Sequence, residues 1–185
     1  MPEQITLFSL IKWSPLHILI PLAILQRISE LRVAKRNERG LRERGAIEFG
    51  KDHYPAIVTM HTLWFIFMIA EIIILSRPIN PFWPVLLPIW LGAQGLRYWT
   101  LRTLGTRWTT RVFVVPGETP VTGGPFRYLR HPNYLAVVIE ILVLPLIFSC
   151  YITAITFSLI NGLLLWIRIR AEERGWREVG RGKMV

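Results

Sequence analysis

Five apolar segments, each about as long as a membrane is thick, constrain the fold of this chain most. Hydrophobic residues make up 52% of its 185 residues and gather in these blocks. An α-helix needs about 20 apolar residues to cross the hydrocarbon layer. We therefore predict an all-α polytopic membrane protein with about five transmembrane helices. The predicted spans are residues 14–31, 55–76, 82–101, 132–149 and 151–169.

The positive charge of the chain, +10 net, follows the predicted topology. Sixteen Lys or Arg residues lie on one side of the five spans, in segments 32–54, 102–131 and 171–185. The other side carries only Lys12 and Arg77. Because basic loops stay in the cytoplasm, we predict an external N-terminus and a cytoplasmic C-terminus. The basic excess then indicates contact with anionic membrane lipids, and we expect no nucleic-acid partner.

Length and the absence of internal repeats predict a single domain, residues 1–185. The N-terminus lacks a positive region and a small-residue cleavage site, so we expect the first span to be retained. No Gly-x-Gly-x-x-Gly opens a helix after a strand, which excludes a Rossmann domain. Cys150 is the only cysteine, so we assign no metal ligands and expect it to be a packing residue.

Polar residues within the spans carry separate expectations. His61, near the cytoplasmic end of the second span, either contacts a substrate or cofactor or packs at a helix interface. Glu71 lies deeper, and a carboxyl group there needs a partner, so we expect a structural hydrogen bond. Arg97, among aromatic residues at the end of the third span, is expected to be an interfacial anchor.

Two connectors are less regular. Residues 32–54 are predicted to continue the first helix and then form a loop at three glycines. That loop is either a solvated connector lying against lipid or a cap over a site. The β-branched stretch 107–115 predicts a short extended or re-entrant segment.

The sequence Arg-His-Pro-Asn-Tyr at 130–134 opens the fourth span. Pro132 suits the first helical position, because its missing N–H would have no partner there. His131 then lies at the helix start and Tyr134 in the first turn. Free N–H groups, the helix dipole and Arg130 favour an anion here, such as a carboxylate or phosphate.

A second polar cluster ends the fifth span. Arg168 and Glu172 are spaced i,i+4 on one helix face, as are Glu172 and Trp176. Folding the last two spans into a hairpin brings this cluster beside residues 130–134, on the same side of the membrane. Ionisable groups beside lipid cost free energy unless they bind something polar, so we predict a functional site here. Glu140, on the same face of the fourth helix as Asn133, is either a deep pocket wall or a neutral, hydrogen-bonded carboxyl group.

The two motifs, Arg-His-Pro-x-Tyr at 130–134 and Arg-x-x-x-Glu-Glu at 168–173, resemble those of the isoprenylcysteine carboxyl methyltransferase family. They are also similar to those of membrane phospholipid N-methyltransferases. The resemblance covers about residues 90–178. Segments 45–50 and 53–55 resemble a bacterial branch of the family that is associated with O-methylation of lipophilic polyketides such as alkylpyrones.

The resemblance implies an integral protein of the bacterial inner membrane with its active site facing the cytoplasm. It implies S-adenosylmethionine as cofactor, bound by about residues 97–185, and a lipophilic acceptor that arrives from the bilayer. The implied cofactor-binding residues are Arg130, His131, Pro132, Tyr134 and Glu173. The implied catalytic residues are Arg168 and Glu172. The candidate substrate-binding residues are His61, Asn133, Glu140 and Trp176.

Two features depart from the family pattern. Ala136 stands where many relatives have glycine, and the sequence reaches Val185 without the Phe-Gly and paired-tyrosine segment common after Glu-Glu. We expect part of the usual cofactor lid to be missing or replaced by Trp176 and its neighbours.

The acceptor decides what the catalytic pair does. A carboxylate is already ionised and needs only Arg168 to orient it, whereas a hydroxyl benefits from Glu172 as a base. The bacterial-branch resemblance favours the hydroxyl. The alternatives are a phospholipid amine N-methyltransferase, a sterol-type membrane reductase using a nicotinamide cofactor, and a non-enzymatic membrane scaffold.

Overall fold

The structure, a computed structural model, describes residues 14–179. Lys12 and the last residues of the tail, used in the charge argument, lie outside this range. The described chain forms five α-helices and one two-stranded antiparallel sheet, which confirms the all-α expectation in its main feature. The helices are α1 (Leu19–Glu43), α2 (Tyr54–Ile74), α3 (Trp83–Leu104), α4 (Pro132–Ile147) and α5 (Tyr151–Glu178), and the strands are β1 (Ile47–Phe49) and β2 (Val112–Val114).

Two helical segments between residues 14 and 179 are long and apolar enough to cross a membrane, by length and composition. They are Lys51–Ile74, which includes α2, and Tyr151–Glu178, which is α5. The apolar α4 is shorter, with 16 residues. The number of five spans and the orientation of the termini stay predictions.

The helices α4 and α5 form an antiparallel hairpin, and Glu71 of α2 closes its tip. The carboxylate of Glu71 accepts hydrogen bonds from the backbone N–H and the hydroxyl of Thr153, both at 2.8 Å. It also pairs with Arg77 at 3.0 Å. A carboxylate at a helix N-terminus satisfies N–H groups that have no partner within the helix. The predicted structural hydrogen bond of Glu71 is therefore confirmed, and Cys150 is a fully buried packing residue.

The core lies between α2 and the hairpin. Trp64 of α2 is fully buried, and its indole N–H donates to the carbonyl oxygen of Ile141 at 3.2 Å. Ile141, Leu144 and Ile147 of α4 are fully buried around it. This contact fixes the depth of α2 relative to α4, and so the height of the polar residues on both helices.

The connector after α1 is not the solvated loop against lipid that was one of the two expectations. α1 continues beyond the first predicted span, as expected, but it runs through Gly40, where the loop was expected to begin, and ends at Glu43. β1 then pairs with β2 in the register Ile47 with Val114 and Phe49 with Val112. The sheet lies against α5, where a methyl group added to Gly175 would be 2.7 Å from the Phe49 ring. The extended conformation predicted within 107–115 is confirmed for β2. The connector thus covers the end of the hairpin.

Asn37, on the last part of α1, ties that helix to the segment that precedes β2. Its side-chain amide donates to the carbonyl oxygen of Trp108 at 2.8 Å and to that of Gly105 at 3.2 Å. Asn37 is buried, so both bonds are shielded from water. This contact positions Trp108 at the centre of the molecule.

Candidate active site

The two polar clusters meet, because the start of α4 and the end of α5 lie side by side. The hydroxyl of Tyr134 accepts a hydrogen bond from Arg168 Nε at 3.0 Å and donates one to Glu172 Oε2 at 2.5 Å. His131 Nδ1 lies 3.8 Å from the same carboxylate oxygen. The His131 and Tyr134 rings stack with centroids 5.1 Å apart and planes 15° apart. Pro132 begins α4, as predicted, which projects Tyr134 from the first turn.

A cavity of about 510 Å³, the polar cavity, lies between this cluster and the segment around β2. Its charged lining residues are Arg107, Arg111, Arg130, Arg168, Glu118 and Glu172. The aromatic rings of Phe126 and Trp176 also line it. A space of this size with ring faces and positive charge suits a zwitterionic, aromatic small molecule.

A second cavity of about 410 Å³, the apolar cavity, lies between α1, α2 and α5. Aliphatic and aromatic side chains line most of it. Three of them, Ile28, Ile66 and Ile69, are also exposed on the outer surface of the protein, by 41%, 53% and 37%. The cavity therefore lies next to an apolar part of the outer surface.

The two cavities share a wall, here called the shared wall. It consists of the five residues that line both: Trp108, Thr109, Asn133, Tyr134 and Arg168. Two polar atoms of the shared wall, Trp108 Nε1 and Asn133 Oδ1, are buried without a hydrogen-bond partner among residues 14–179. Buried polar atoms are normally paired, so such atoms beside a cavity indicate contacts with a ligand. Molecules in the two cavities would meet here.

A cluster of four buried charges underlies the apolar cavity. Glu30 pairs with Arg27 and with Arg97, at 3.1 Å in each case. Glu140 pairs with the same two arginines, at 2.5 Å from Arg27. Arg97 and Glu140 are each 2% exposed. These contacts tie α1, α3 and α4 together with no net charge.

The charge cluster corrects two sequence-based expectations. Arg97 is not an interfacial anchor, because it lies in the interior and bridges two carboxylates. Glu140 lines neither cavity, and its carboxylate accepts hydrogen bonds from Arg27 and Arg97, so it is hydrogen-bonded as one alternative expected, but in ion pairs instead of as a neutral group. The substrate-binding assignment of Glu140 stays a prediction that the cavity linings do not support. Arg27 and Arg97 lie on other helices than Glu140, so no short-range spacing in the sequence indicates that they pair with it.

The other predicted site residues divide between the cavities. The polar cavity contains Arg130, His131, Pro132, Tyr134, Glu172 and Trp176. His61 lines the apolar cavity, while Asn133 and Arg168 line both. Glu173 departs from its implied place: it lines neither cavity and lies 4.0 Å from Arg177. Trp176 lies on the polar side, away from the substrate position expected for it.

Sequence reasoning missed Trp108 and Thr109, which belong to the shared wall. Both lie in an irregular segment whose position depends on Asn37, far away in sequence. The β-branched pattern located β2 but gave no signal for the residues that precede it.

Ion pairs outside the predicted membrane spans stabilise the two-stranded sheet. Glu48 of β1 accepts hydrogen bonds from Arg111 at 2.5 Å and Arg42 at 2.6 Å. Partial burial alone would raise the pKa of Glu48, but these two bonds outweigh it and hold the pKa below its ordinary value. Glu38 lies 3.7 Å from Arg111, and partial burial raises its pKa. Arg111 thus joins the sheet to α1 beside the polar cavity.

The fold is thus helical, with a polar cavity and an apolar cavity that share five lining residues. The isoprenylcysteine carboxyl methyltransferase family model matches residues 85–177, which include both polar clusters. The chain belongs to this family, a family of membrane methyltransferases, and the sequence-based resemblance is confirmed.

Two curated bacterial proteins are similar over most of their length. An uncharacterised protein of Bacillus subtilis, YpbQ, is 43% identical over 161 residues, which are 87% of this chain and 96% of that protein. An uncharacterised protein of Haemophilus influenzae is 28% identical over 148 residues, 80% of this chain and 86% of that protein. No solved structure matches this chain. The alkylpyrone branch stays a prediction, because neither relative carries a described activity.

Proposed function

We propose that this protein is an S-adenosylmethionine-dependent methyltransferase of the bacterial inner membrane that methylates a hydroxyl group on a lipophilic acceptor. The shared wall carries the proposal. A polar cavity and a lipid-facing apolar cavity touch at Trp108, Thr109, Asn133, Tyr134 and Arg168. A polar cofactor in one cavity and a lipophilic acceptor in the other would both contact these residues, and neither would have to enter a cavity of the opposite polarity.

The residues of the polar cavity fit the cofactor. Its volume of about 510 Å³ lies within the roughly 300–1,000 Å³ of small-molecule sites. Arg130 would hold a carboxylate, whereas Arg107 is paired with Glu118 at 2.7 Å, and the ring of Trp176 would contact a sulfonium or an adenine. The unpartnered Trp108 Nε1 and Asn133 Oδ1 offer one donor and one acceptor. When bound, S-adenosylmethionine supplies an electrophilic methyl group on a sulfonium sulfur.

The Tyr134 hydroxyl holds the two catalytic candidates in place. Arg168 donates to it through Nε, which leaves the terminal guanidinium nitrogens for contact with an acceptor. A cation there stabilises an acceptor oxygen as that oxygen gives up its proton. Since Tyr134 occupies Glu172 Oε2, the other carboxylate oxygen, Oε1, would take the proton of an acceptor hydroxyl that reaches past Tyr134 and Arg168 into the polar cavity, which Glu172 lines.

The apolar cavity would align the acceptor and keep water away. The hydrocarbon chain of the acceptor would lie among isoleucine, leucine and phenylalanine side chains, including Ile57, Phe65 and Leu164. Holding the reacting atoms in line can contribute several kcal/mol, about 7–11 in the best intramolecular cases. A carboxylate acceptor would fit the same cavity with Arg168 alone to orient it, and would need no base.

Radiolabelled S-adenosylmethionine, incubated with the detergent-solubilised protein and total bacterial membrane lipid, tests the proposal. We expect label in a lipid-extractable product whose mass spectrum shows a methyl ether. Label in a methyl ester would indicate a carboxylate acceptor, and label on a phospholipid amine would indicate N-methylation.

The variant Glu172→Gln separates catalysis from binding. We expect it to abolish methylation of a hydroxyl acceptor while calorimetry still detects binding of S-adenosylmethionine. Glu178→Gln, an exposed carboxylate on the same helix, is the matched control and should remain active. Lost cofactor binding with normal residual turnover in Glu172→Gln would contradict the assigned role, and binding of reduced nicotinamide cofactor in place of S-adenosylmethionine would contradict the reaction class.

A further inference from the structure

A second group of polar side chains lines the apolar cavity away from the shared wall. It consists of His61 on α2, Asn161 on α5 and Arg27 on α1, here called the inner polar group. Asn161 precedes Arg168 by two helical turns on α5, and seven residues of α-helix span about 10 Å. Asn161 therefore lies about 10 Å farther along α5 than Arg168, which belongs to the wall where transfer is proposed.

His61 presents a hydrogen-bond acceptor to this place. Its Nδ1 lies 2.9 Å from the carbonyl oxygen of Ile57. A carbonyl only accepts, so Nδ1 carries the proton and Nε2 has a free lone pair. Nε2 is buried without a hydrogen-bond partner in the described chain. An unpaired buried acceptor costs free energy that a donor on a ligand would recover.

Arg27 and Asn161 supply the complementary groups. Arg27 is bound to Glu30 and Glu140, which balance its charge, yet its side chain remains 20% exposed and lines the cavity. Asn161 is 3% exposed, and its side-chain amide lines the same cavity. The inner polar group thus offers an acceptor and donors without net charge, which suits a neutral group that both donates and accepts.

We propose that the inner polar group is a subsite for a hydroxyl group carried on the chain of the acceptor, about 10 Å from the atom that is methylated. The hydroxyl donates to His61 Nε2 and accepts from Asn161 or Arg27. The distance rests on the proposed function, which sets the methylated atom at the shared wall. A purely hydrocarbon chain would leave His61 unpaired, so the enzyme prefers acceptors with a second oxygen function over prenyl or plain alkyl chains.

Two probes with alkyl chains of equal length test the subsite: 4-butylphenol and 4-(4-hydroxybutyl)phenol, in which the two oxygens lie about as far apart as Asn161 and Arg168 do along α5. Their binding to the full chain in lipid nanodiscs is measured by calorimetry and corrected for partitioning into empty nanodiscs. We expect the hydroxylated probe to bind about tenfold more tightly, as one buried hydrogen bond allows. His61→Leu should abolish this advantage, and His61→Gln, which retains a polar atom near Nε2, should restore part of it.

Thr59→Val is the matched control, because Thr59 is exposed on the same helix as His61 and lines neither cavity. It should leave the advantage intact. Equal binding of the two phenols, no binding of either, or an advantage that His61→Leu retains would overturn the subsite. Transfer of label from S-adenosylmethionine is followed in the same samples. A His61-dependent advantage without any methylation would overturn the proposed function and leave the subsite standing.

Discussion

Tyr134 donates a hydrogen bond to Glu172 across 2.5 Å, although 38 positions separate the two residues in sequence. The bond joins the start of α4 to the end of α5. The same hydroxyl accepts from Arg168 at 3.0 Å, so one phenol fixes both catalytic candidates. The hairpin therefore serves chemistry as well as packing.

Removing this hydroxyl should slow the reaction. In Tyr134→Phe, Arg168 and Glu172 both lose the partner that orients them, and a hydrogen bond to a charged group is worth about 1.5–3 kcal/mol. We expect kcat to fall by roughly ten- to a hundredfold, with binding of S-adenosylmethionine within a few-fold of wild type. The measurement is label transfer at saturating cofactor. Tyr128→Phe, at a tyrosine that is 77% exposed, is the control, and equal rates in the two variants would show that Tyr134 does not orient the pair.

For Glu173, the family resemblance and the geometry of the site predict different roles. The resemblance implies a cofactor contact, whereas this side chain lines neither cavity and lies near Arg177. We expect Glu173→Gln to change the Kd for S-adenosylmethionine by less than about twofold, as for an exposed ion pair. Calorimetry beside His131→Ala, which should weaken binding clearly, gives the comparison. A tenfold loss in Glu173→Gln would restore the implied role.

Breaking the buried charge cluster should lower the free energy of unfolding. Arg97→Met leaves Glu30 and Glu140 with Arg27 as their common cation, and breaking a buried pair costs about 3–5 kcal/mol. Adding Glu140→Leu should recover part of the loss, because it leaves one arginine with one glutamate. Unfolding in mixed detergent micelles measures both, with the exposed Arg102→Met as control. A loss below about 1 kcal/mol in Arg97→Met would contradict the interior position.

Acid should loosen the sheet. The pKa of Glu48 is lower in the folded protein than its ordinary value of 4.5, so its stabilising effect is complete above that pH and is lost as the pH falls through the folded value. The stability difference between wild type and Glu48→Gln should therefore shrink below about pH 4.5. Thermal unfolding from pH 7 to pH 3 measures it. Glu38 remains in both proteins, so a difference that stays constant with pH would contradict ion pairing of Glu48.

Short-range patterns located the elements that the structure contains. Apolar length placed the last two helices to within a few residues at their starts, and the proline after His131 marked the beginning of α4. The expectation for Glu71 followed from the cost of an unpaired carboxyl group in an apolar layer. These inferences succeed because each depends on residues within one helix or one turn.

Contacts between residues that are far apart in sequence could not be predicted from the sequence. Arg97 resembles an interfacial anchor until Glu30 and Glu140 approach it from two other helices. Trp108 enters the site only because Asn37 holds its carbonyl oxygen. Which charges pair, and which cavity a residue lines, depends on how the helices pack, and spacing within one segment does not contain that information.

An experimental structure of the protein with S-adenosylhomocysteine and 4-octylphenol tests the central claim most directly. The nucleoside should lie in the polar cavity beside His131 and Trp176, with its sulfur facing the phenol oxygen across the wall formed by Tyr134 and Arg168. Density for the nucleoside anywhere else, or for the phenol on a face of the protein remote from Arg168, would contradict it.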